Sequence, residues 1–335
     1  GEFTKRALLN GKIDLVQAEA VADIVSASCD EARQLALLQY EGRLSHRMHE
    51  IRSDIMEILM RVEARIDFPD EEETRIGPDE PSAHIRGLVD RIDDLLKGAS
   101  IGVKIKKGYR AVITGRANVG KSTLFNRLLG HDRAIIHEQP GTTRDFLEES
   151  VQIQGLYVHL CDTAGMLSGA TGPDQIAQQR AIALINDADL ILLLFDGSEP
   201  MNEDDIRLYD LTKAKSKLLI VNKIDLNLRL SSEHILSDSI KISAKKGTNL
   251  DVLEQSIRQR LLPNPVRGDG LITRHRHIDA LQSARRALVD AGHAHTTETM
   301  AYELHTALDA VGEVTGVVLR SEILDRIFDE FCIGK

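Results

Sequence analysis

The sequence predicts an α/β unit with a mostly parallel sheet, inserted into an all-α helical domain. Two observations predict it. Short β-branched runs at 109–114, 156–161, 190–195 and 218–221 alternate with helical patterns in the middle of the chain, which is the mark of βαβ units. Both ends carry apolar stripes at three- and four-residue steps instead, and either end alone would leave its stripes uncovered. One helical domain built from both ends covers them. Insertion of the middle is feasible because domain termini often lie close together at the surface. The boundaries read from the sequence are 1–106 for the first helical part, 107–264 for the α/β unit and 265–335 for the second helical part.

Each part has its own pattern. The segment 12–66 reads as helix, with Ile51, Ile55, Leu59, Val62 and Ile66 on one stripe. Phe68-Pro69-Asp70-Glu71-Glu72-Glu73 ends it, since proline can neither continue a helix nor tolerate helical geometry just before itself. A second helix is expected over 81–96. After Pro263-Asn264-Pro265 the helical period returns, with stripes at Leu281, Ala284 and Leu288, at Leu304, Leu308 and Val311, and at Leu324, Ile327 and Phe331.

Composition bounds the function. The 335 residues suffice for two domains. A net charge of −10 argues against a protein that simply coats nucleic acid. Tryptophan is absent, so burial rests on Leu, Ile, Val and Ala. Cys29, Cys161 and Cys332 fit neither a disulfide framework nor a zinc spacing; Cys29 and Cys161 read as packing residues. No apolar run approaches the length of a membrane span, and no signal peptide is visible, although the sequence starts at Gly1 rather than Met. A cytoplasmic protein without a membrane partner is expected.

The strongest motif is Gly115-Arg116-Ala117-Asn118-Val119-Gly120-Lys121-Ser122, a complete phosphate-loop pattern. It follows an expected strand and opens an expected helix over 123–129 that begins with Thr123. The glycines let backbone N–H groups wrap phosphates at a helix N-terminus that already favours anions. Lys121 would reach the β- and γ-phosphates, and the Ser122 hydroxyl would ligate Mg²⁺. Gly141-Thr142-Thr143-Arg144-Asp145 supplies a threonine, Thr143, able to ligate Mg²⁺ and sense a γ-phosphate. Asp162-Thr163-Ala164-Gly165 closes a strand; Asp162 would hold the magnesium through water and the Gly165 N–H would meet the γ-phosphate.

The base follows from Asn222-Lys223-Ile224-Asp225. The Asp225 carboxylate can accept from guanine N1–H and N2–H, donors that adenine does not offer in that arrangement. Ser243-Ala244-Lys245, after a short strand, would touch guanine O6 through its backbone. The five motifs in this order predict a Ras-like GTP/GDP-binding domain. Ras-like enzymes carry a water-positioning Gln directly after Asp-x-x-Gly; here that position is Met166, which cannot orient water. Arg116 lies inside the phosphate loop and reads as exposed or structural rather than as an arginine finger.

The flanks carry a family resemblance. Glu2-Phe3-Thr4-Lys5-Arg6-Ala7, the run from Leu9-Asn10-Gly11 to Ala18-Glu19-Ala20, Asp67-Phe68-Pro69-Asp70-Glu71-Glu72 and the terminal Cys332-Ile333-Gly334-Lys335 resemble the bacterial tRNA-modification GTPases of the MnmE (TrmE) family, over essentially the whole chain. The resemblance implies a K⁺-stimulated GTPase whose G domains form a homodimer in the triphosphate state. It implies an FAD-dependent partner, MnmG (GidA), and tRNA as substrate, modified at C5 of the wobble uridine with a carboxymethylaminomethyl or aminomethyl group. It makes Asn118 a K⁺ ligand and Cys332 necessary for modification, without assigning it a chemical step. It also implies a folate-binding domain before Glu2, so that this sequence lacks the one-carbon donor site and the constitutive dimer contact. The family's water-orienting Glu matches Asp174, one methylene shorter and set among Gly and Pro; capping the helix that follows explains Asp174 equally well. The alternative is an Era- or Der-like RNA-binding assembly factor. Era would carry a Gly-x-x-Gly loop in an α/β segment after the G domain, where 267–335 shows helical stripes.

Overall fold

The computed structural model describes residues 1–68, 80–131, 148–162, 174–263 and 272–318. The chain divides into two compact units, Gly1–Lys106 with Val266–Lys335, and Lys107–Pro265. In chain order the first unit opens with α1 (Glu2–Leu9), α2 (Leu15–Ser26), α3 (Asp30–Tyr40), α4 (Arg43–Asp67) and α5 (Glu80–Lys107). The second contains β1 (Tyr109–Gly115), α6 (Lys121–His131), β2 (Glu148–Ile153), β3 (Leu156–Asp162), α7 (Asp174–Asp187), β4 (Leu190–Asp196), α8 (Glu203–Leu211), β5 (Lys217–Asn222), α9 (Glu233–Asp238), β6 (Ser239–Lys241) and α10 (Leu250–Leu261). The chain then returns to the first unit with α11 (His275–Gly292) and α12 (Thr297–Thr315). The expected fold class holds: an α/β unit inserted into helical sequence.

Two helical expectations need correction. The segment 12–66 is three helices, because local chemistry interrupts its period. Asp14 starts α2 through a reciprocal capping box with Gln17. Cys29 is extended and precedes α3. Gly42 takes a left-handed conformation, φ +85°, before α4. The helix expected over 81–96 runs to Lys107, since Ala99 and Ile105 continue its buried stripe. It passes through Gly102, where a Cβ would stand 2.2 Å from the Ile272 carbonyl oxygen. That backbone approach is why a poor helix former sits there.

The helical unit packs one apolar core from both ends of the chain. Ile51, Ile55 and Leu59 of α4 and Ile85 and Ile92 of α5 meet Leu281 and Leu288 of α11 and Leu304 and Val311 of α12. Beside it lies a buried charge network. Glu19 of α2 is contacted by His277 at 2.9 Å and Arg276 at 3.1 Å. Asp23 pairs with Lys106 at 2.8 Å and Arg274 at 2.7 Å. Burial opposes ionisation of Glu19, but the His277 hydrogen bond and the neighbouring cations outweigh it and hold the carboxyl down at about 2. The stripe at Leu324, Ile327 and Phe331 lies outside the described residues.

In the α/β unit the strand order is β2-β3-β1-β4-β5-β6, parallel except for the β2–β3 hairpin. The central strand β4 reads Leu-Ile-Leu-Leu-Leu-Phe-Asp and is buried throughout, as a parallel strand covered on both faces must be. Strand β2 was not foreseen. It is an edge strand with the polar start Glu-Glu-Ser, joined to β3 by Gln154 and Gly155. Both turn residues have positive φ, 47° and 84°, as the tightest hairpin turn requires.

Candidate nucleotide-binding site

The sheet gathers the motifs at one edge. Strand β1 runs into the phosphate-loop sequence, β3 ends on Asp162, β4 on Asp196 and β5 on Asn222, and β6 leads to Ser243. The chain leaves β1 for β3 on one side and for β4 on the other. Ligands of open α/β sheets bind beyond the carboxyl ends of the strands at such a switch point.

At the phosphate loop Lys121 is 8% exposed. Its Nζ donates to the carbonyls of Gly115 at 2.9 Å and Arg116 at 2.7 Å. Burial pulls its pKa down against the opposing charge of Asp162. Ser122 Oγ donates to Asp162 Oδ2 at 3.1 Å, so two hard oxygen donors from separate motifs share one point. Asn118 has φ +62°, a conformation that asparagine tolerates better than most residues, and is exposed at the turn with Thr123 close behind.

Asn222 is the hub. Its Nδ2 donates to the Val119 carbonyl at 2.8 Å, and its Oδ1 accepts from the Ala244 N–H at 2.9 Å. One side chain thus joins the phosphate loop to the Ser243 loop. Gly120, at φ +101°, leaves it room: a Cβ there would stand 2.3 Å from Asn222 Nδ2. Ser243 Oγ donates to Asp225 Oδ1 at 2.6 Å, and this bond holds the Asp225 carboxyl below the usual range. Asp225 therefore presents an ionised acceptor, the form a guanine edge needs.

Two contributors, Asp196 and Arg127, escaped the sequence reading. Asp196, 4% exposed, receives Lys223 Nζ at 2.6 Å. Burial opposes its ionisation, but Lys223 and the Ser198 hydroxyl and N–H hold its pKa low. An acid closing an apolar strand, as Asp162 does, was the available signal. Arg127 of α6 donates to the carbonyls of Ala244 at 3.1 Å and Lys245 at 2.7 Å. Arg116, which the sequence leaves as exposed or structural, is held structurally: its side chain is 12% exposed, pairs with Glu199 at 2.6 Å and stands 3.5 Å from Asp205. Thr142, Thr143, Gly165 and Cys332 lie outside the described residues. Asp174 is the first residue of α7, and its side chain is likewise outside them.

The profile of the MnmE helical domain matches residues 15–332. The chain belongs to the MnmE family. The tRNA modification GTPase MnmE of Aquifex aeolicus is 38% identical over 341 residues, covering all of this chain and 76% of its own length. The Geobacter sulfurreducens MnmE is 40% identical over 344 residues, with all of this chain and 75% of its own length covered. The Thermotoga maritima MnmE is 37% identical over 347 residues. Membership makes the chain a GTPase, binding GTP and GDP, and sets aside the Era or Der alternative. Among the described residues no helix is long and apolar enough to cross a membrane, and no group of three or more His, Cys, Asp or Glu could hold a metal.

Proposed function

We propose that the chain hydrolyses GTP to drive modification of tRNA at C5 of the wobble uridine, installing a carboxymethylaminomethyl or aminomethyl group with an FAD-dependent MnmG partner in the cytoplasm. The observation that carries the reading is the junction at Asn222, which ties a phosphate loop to a guanine-selective loop in a chain that resembles tRNA modification GTPases along its whole length. Lys121 meets the β- and γ-phosphates. Asn222 and Lys223 brace the base pocket, Asp225 takes the guanine N–H pair, and the backbone of Ser243-Ala244-Lys245 lies at the O6 side. Val119, Gly120 and Thr123 line the loop.

The oxygen donors suit Mg²⁺, a hard cation that keeps waters and phosphate oxygens in its shell. Ser122 and Thr143 would hold it directly and Asp162 through water. Bound there, it would neutralise charge developing on the phosphates. Asn118, exposed and left-handed, suits a K⁺ site beside the phosphates, where a monovalent cation can take over the charge stabilisation of an arginine finger. In this reading G domains pair in the triphosphate state, Asp174 is the candidate for orienting water, and Cys332 serves modification.

The test is a paired assay on one preparation: GTP turnover in K⁺ and in Na⁺, and wobble-uridine modification with the partner subunit present. Faster turnover in K⁺ together with modified tRNA is expected. Hydrolysis without modification by the complete complex would refute the tRNA reading and leave a GTPase of another purpose.

A further inference from the structure

The segment from Asp196 to Asp205 carries none of the five motifs, yet it grips both ends of the site. At its start Asp196 holds Lys223 of the base loop, and Gly197 N–H donates to the Asn222 carbonyl at 2.8 Å. Further along, Glu199 and Asp205 take the guanidinium of Arg116. Asp205 is 2% exposed and is fixed by a capping box with Asn202 at the start of α8. Arg116 is thus a phosphate-loop residue whose side chain is held in a bracket of two acids of the β4–α8 connection.

The Arg116 carbonyl is one of the two on which the Lys121 ammonium rests. The bracket therefore fixes the orientation of a peptide group that aims the lysine. The bracket is also under-bonded: Arg116 Nε and Asp205 Oδ1 are both buried and have no hydrogen-bond partner among the described residues. Arg116 Nε stands 3.5 Å from the other carboxylate oxygen, Asp205 Oδ2, too far and too poorly aligned for a full hydrogen bond, so the contact has bonding capacity left to gain.

We infer that Arg116, gripped by Glu199 and Asp205, is a positioning residue for hydrolysis, setting the aim of Lys121 through the Arg116 carbonyl. A phosphate loop cradles ground-state phosphates largely through backbone N–H groups spread along the loop, whereas the bracket bears on one peptide, the one whose carbonyl holds Lys121. Lys121 contributes most where charge builds in the transition state. Slackening the bracket consequently lowers turnover more than affinity.

The inference rests on Lys121 serving the phosphates, so Lys121→Ala is run alongside. Turnover surviving that change would overturn the assignment of Lys121, and this proposal with it. The experiment measures kcat for GTP and Kd for GDP on Arg116→Met, Arg116→Lys, Asp205→Asn and the Met/Asn double variant. Arg116→Met is expected to lower kcat about tenfold, as loss of aim does, with Kd for GDP changed less than about twofold. Arg116→Lys, still able to reach the acids, should recover most of the loss. The double variant should be no slower than the worse single one, the sign of a shared contact. Unchanged kcat in Arg116→Met, an equal loss in Kd, or additive losses would each overturn the proposal. Should Arg116→Met not fold, the near-isosteric Asp205→Asn bears the same kcat-against-Kd comparison.

Discussion

The side-chain amide of Asn222 donates to the Val119 carbonyl over 2.8 Å, across a space that exists only because residue 120 is glycine. Gly120→Ala would put a Cβ 2.3 Å from that amide nitrogen at φ +101°. Strain and the lost bond together cost on the order of 2–3 kcal/mol of stability, so the melting temperature should fall by roughly 4–12 °C. Thermal melts of the variant check this; an unchanged melting temperature would contradict the packing argument.

Base choice is the second test. Ser243 pins Asp225 as an ionised acceptor. Asp225→Asn should lose GTP binding and gain xanthosine triphosphate, whose ring carries an acceptor where guanine carries a donor. Ser243→Ala, which frees the carboxylate without altering its charge, should weaken GTP by about 1 kcal/mol. Competition of GTP, ATP and xanthosine triphosphate against a fluorescent guanine nucleotide reads all three. Equal displacement by ATP and GTP would mean that Asp225 does not face the base.

A third concerns the cation. Asn118→Ala should remove most of the K⁺ stimulation of turnover while leaving the slow rate in Na⁺ unchanged, because only the monovalent site is touched. Steady-state hydrolysis across a K⁺ titration at constant ionic strength decides it. Persistence of the full K⁺ response in the variant would place the ion elsewhere.

The helical unit has a pH signature of its own. Burial works against the Glu19 carboxylate, and His277 with Arg276 and Arg274 more than restores it, bringing the pKa from 4.5 to about 2. A lowered folded-state pKa contributes stability that is complete above the unfolded value and is lost as pH falls through the folded one. Glu19 should therefore stabilise the fold at neutral pH, an effect fading between pH about 4.5 and about 2. Thermal melts of Glu19→Gln and the unaltered protein should differ widely at pH 7 and converge over that window. A gap independent of pH would assign the loss to packing.

The parallel strands and the phosphate loop were legible because their signals are local: an apolar run, then glycines, then Lys121-Ser122. The hub at Asn222 was half legible. Its motif announced a base-binding loop, but nothing in the sequence announced its bond to Val119, since that partnership depends on how β1 and β5 are ordered in the sheet. Asp196 was legible only as an acid closing an apolar strand; its bond to Lys223 and the acids around Arg116 were illegible for the same reason, being set by the strand order and the β4–α8 connection. The breaks between α2, α3 and α4 were missed because continuous apolar periodicity hid the extended residue at Cys29 and the left-handed one at Gly42. Strand β2 was missed because an edge strand carries half the apolar content of a central one, although its alternation into Gln154-Gly155 was there to read.

A domain assembled from two ends of a chain has a history as well as a shape. Glu19 and His277 lie 258 positions apart, and Gln39 and Thr273, which also meet in the helical core, lie 234 apart. The ribosome thus delivers α2 through α5 long before α11 and α12 exist. At about 5–20 residues per second the wait is roughly ten to fifty seconds. Throughout it the apolar sides of α4 and α5 have no α11 or α12 to cover them, and Glu19 has neither arginine nor histidine beside it. The inserted unit has all its strands by then and is free to fold first. The half-built helical unit is therefore the stage of biosynthesis most exposed to aggregation, and a chaperone acting on the nascent chain would find its apolar target there rather than in the inserted α/β unit.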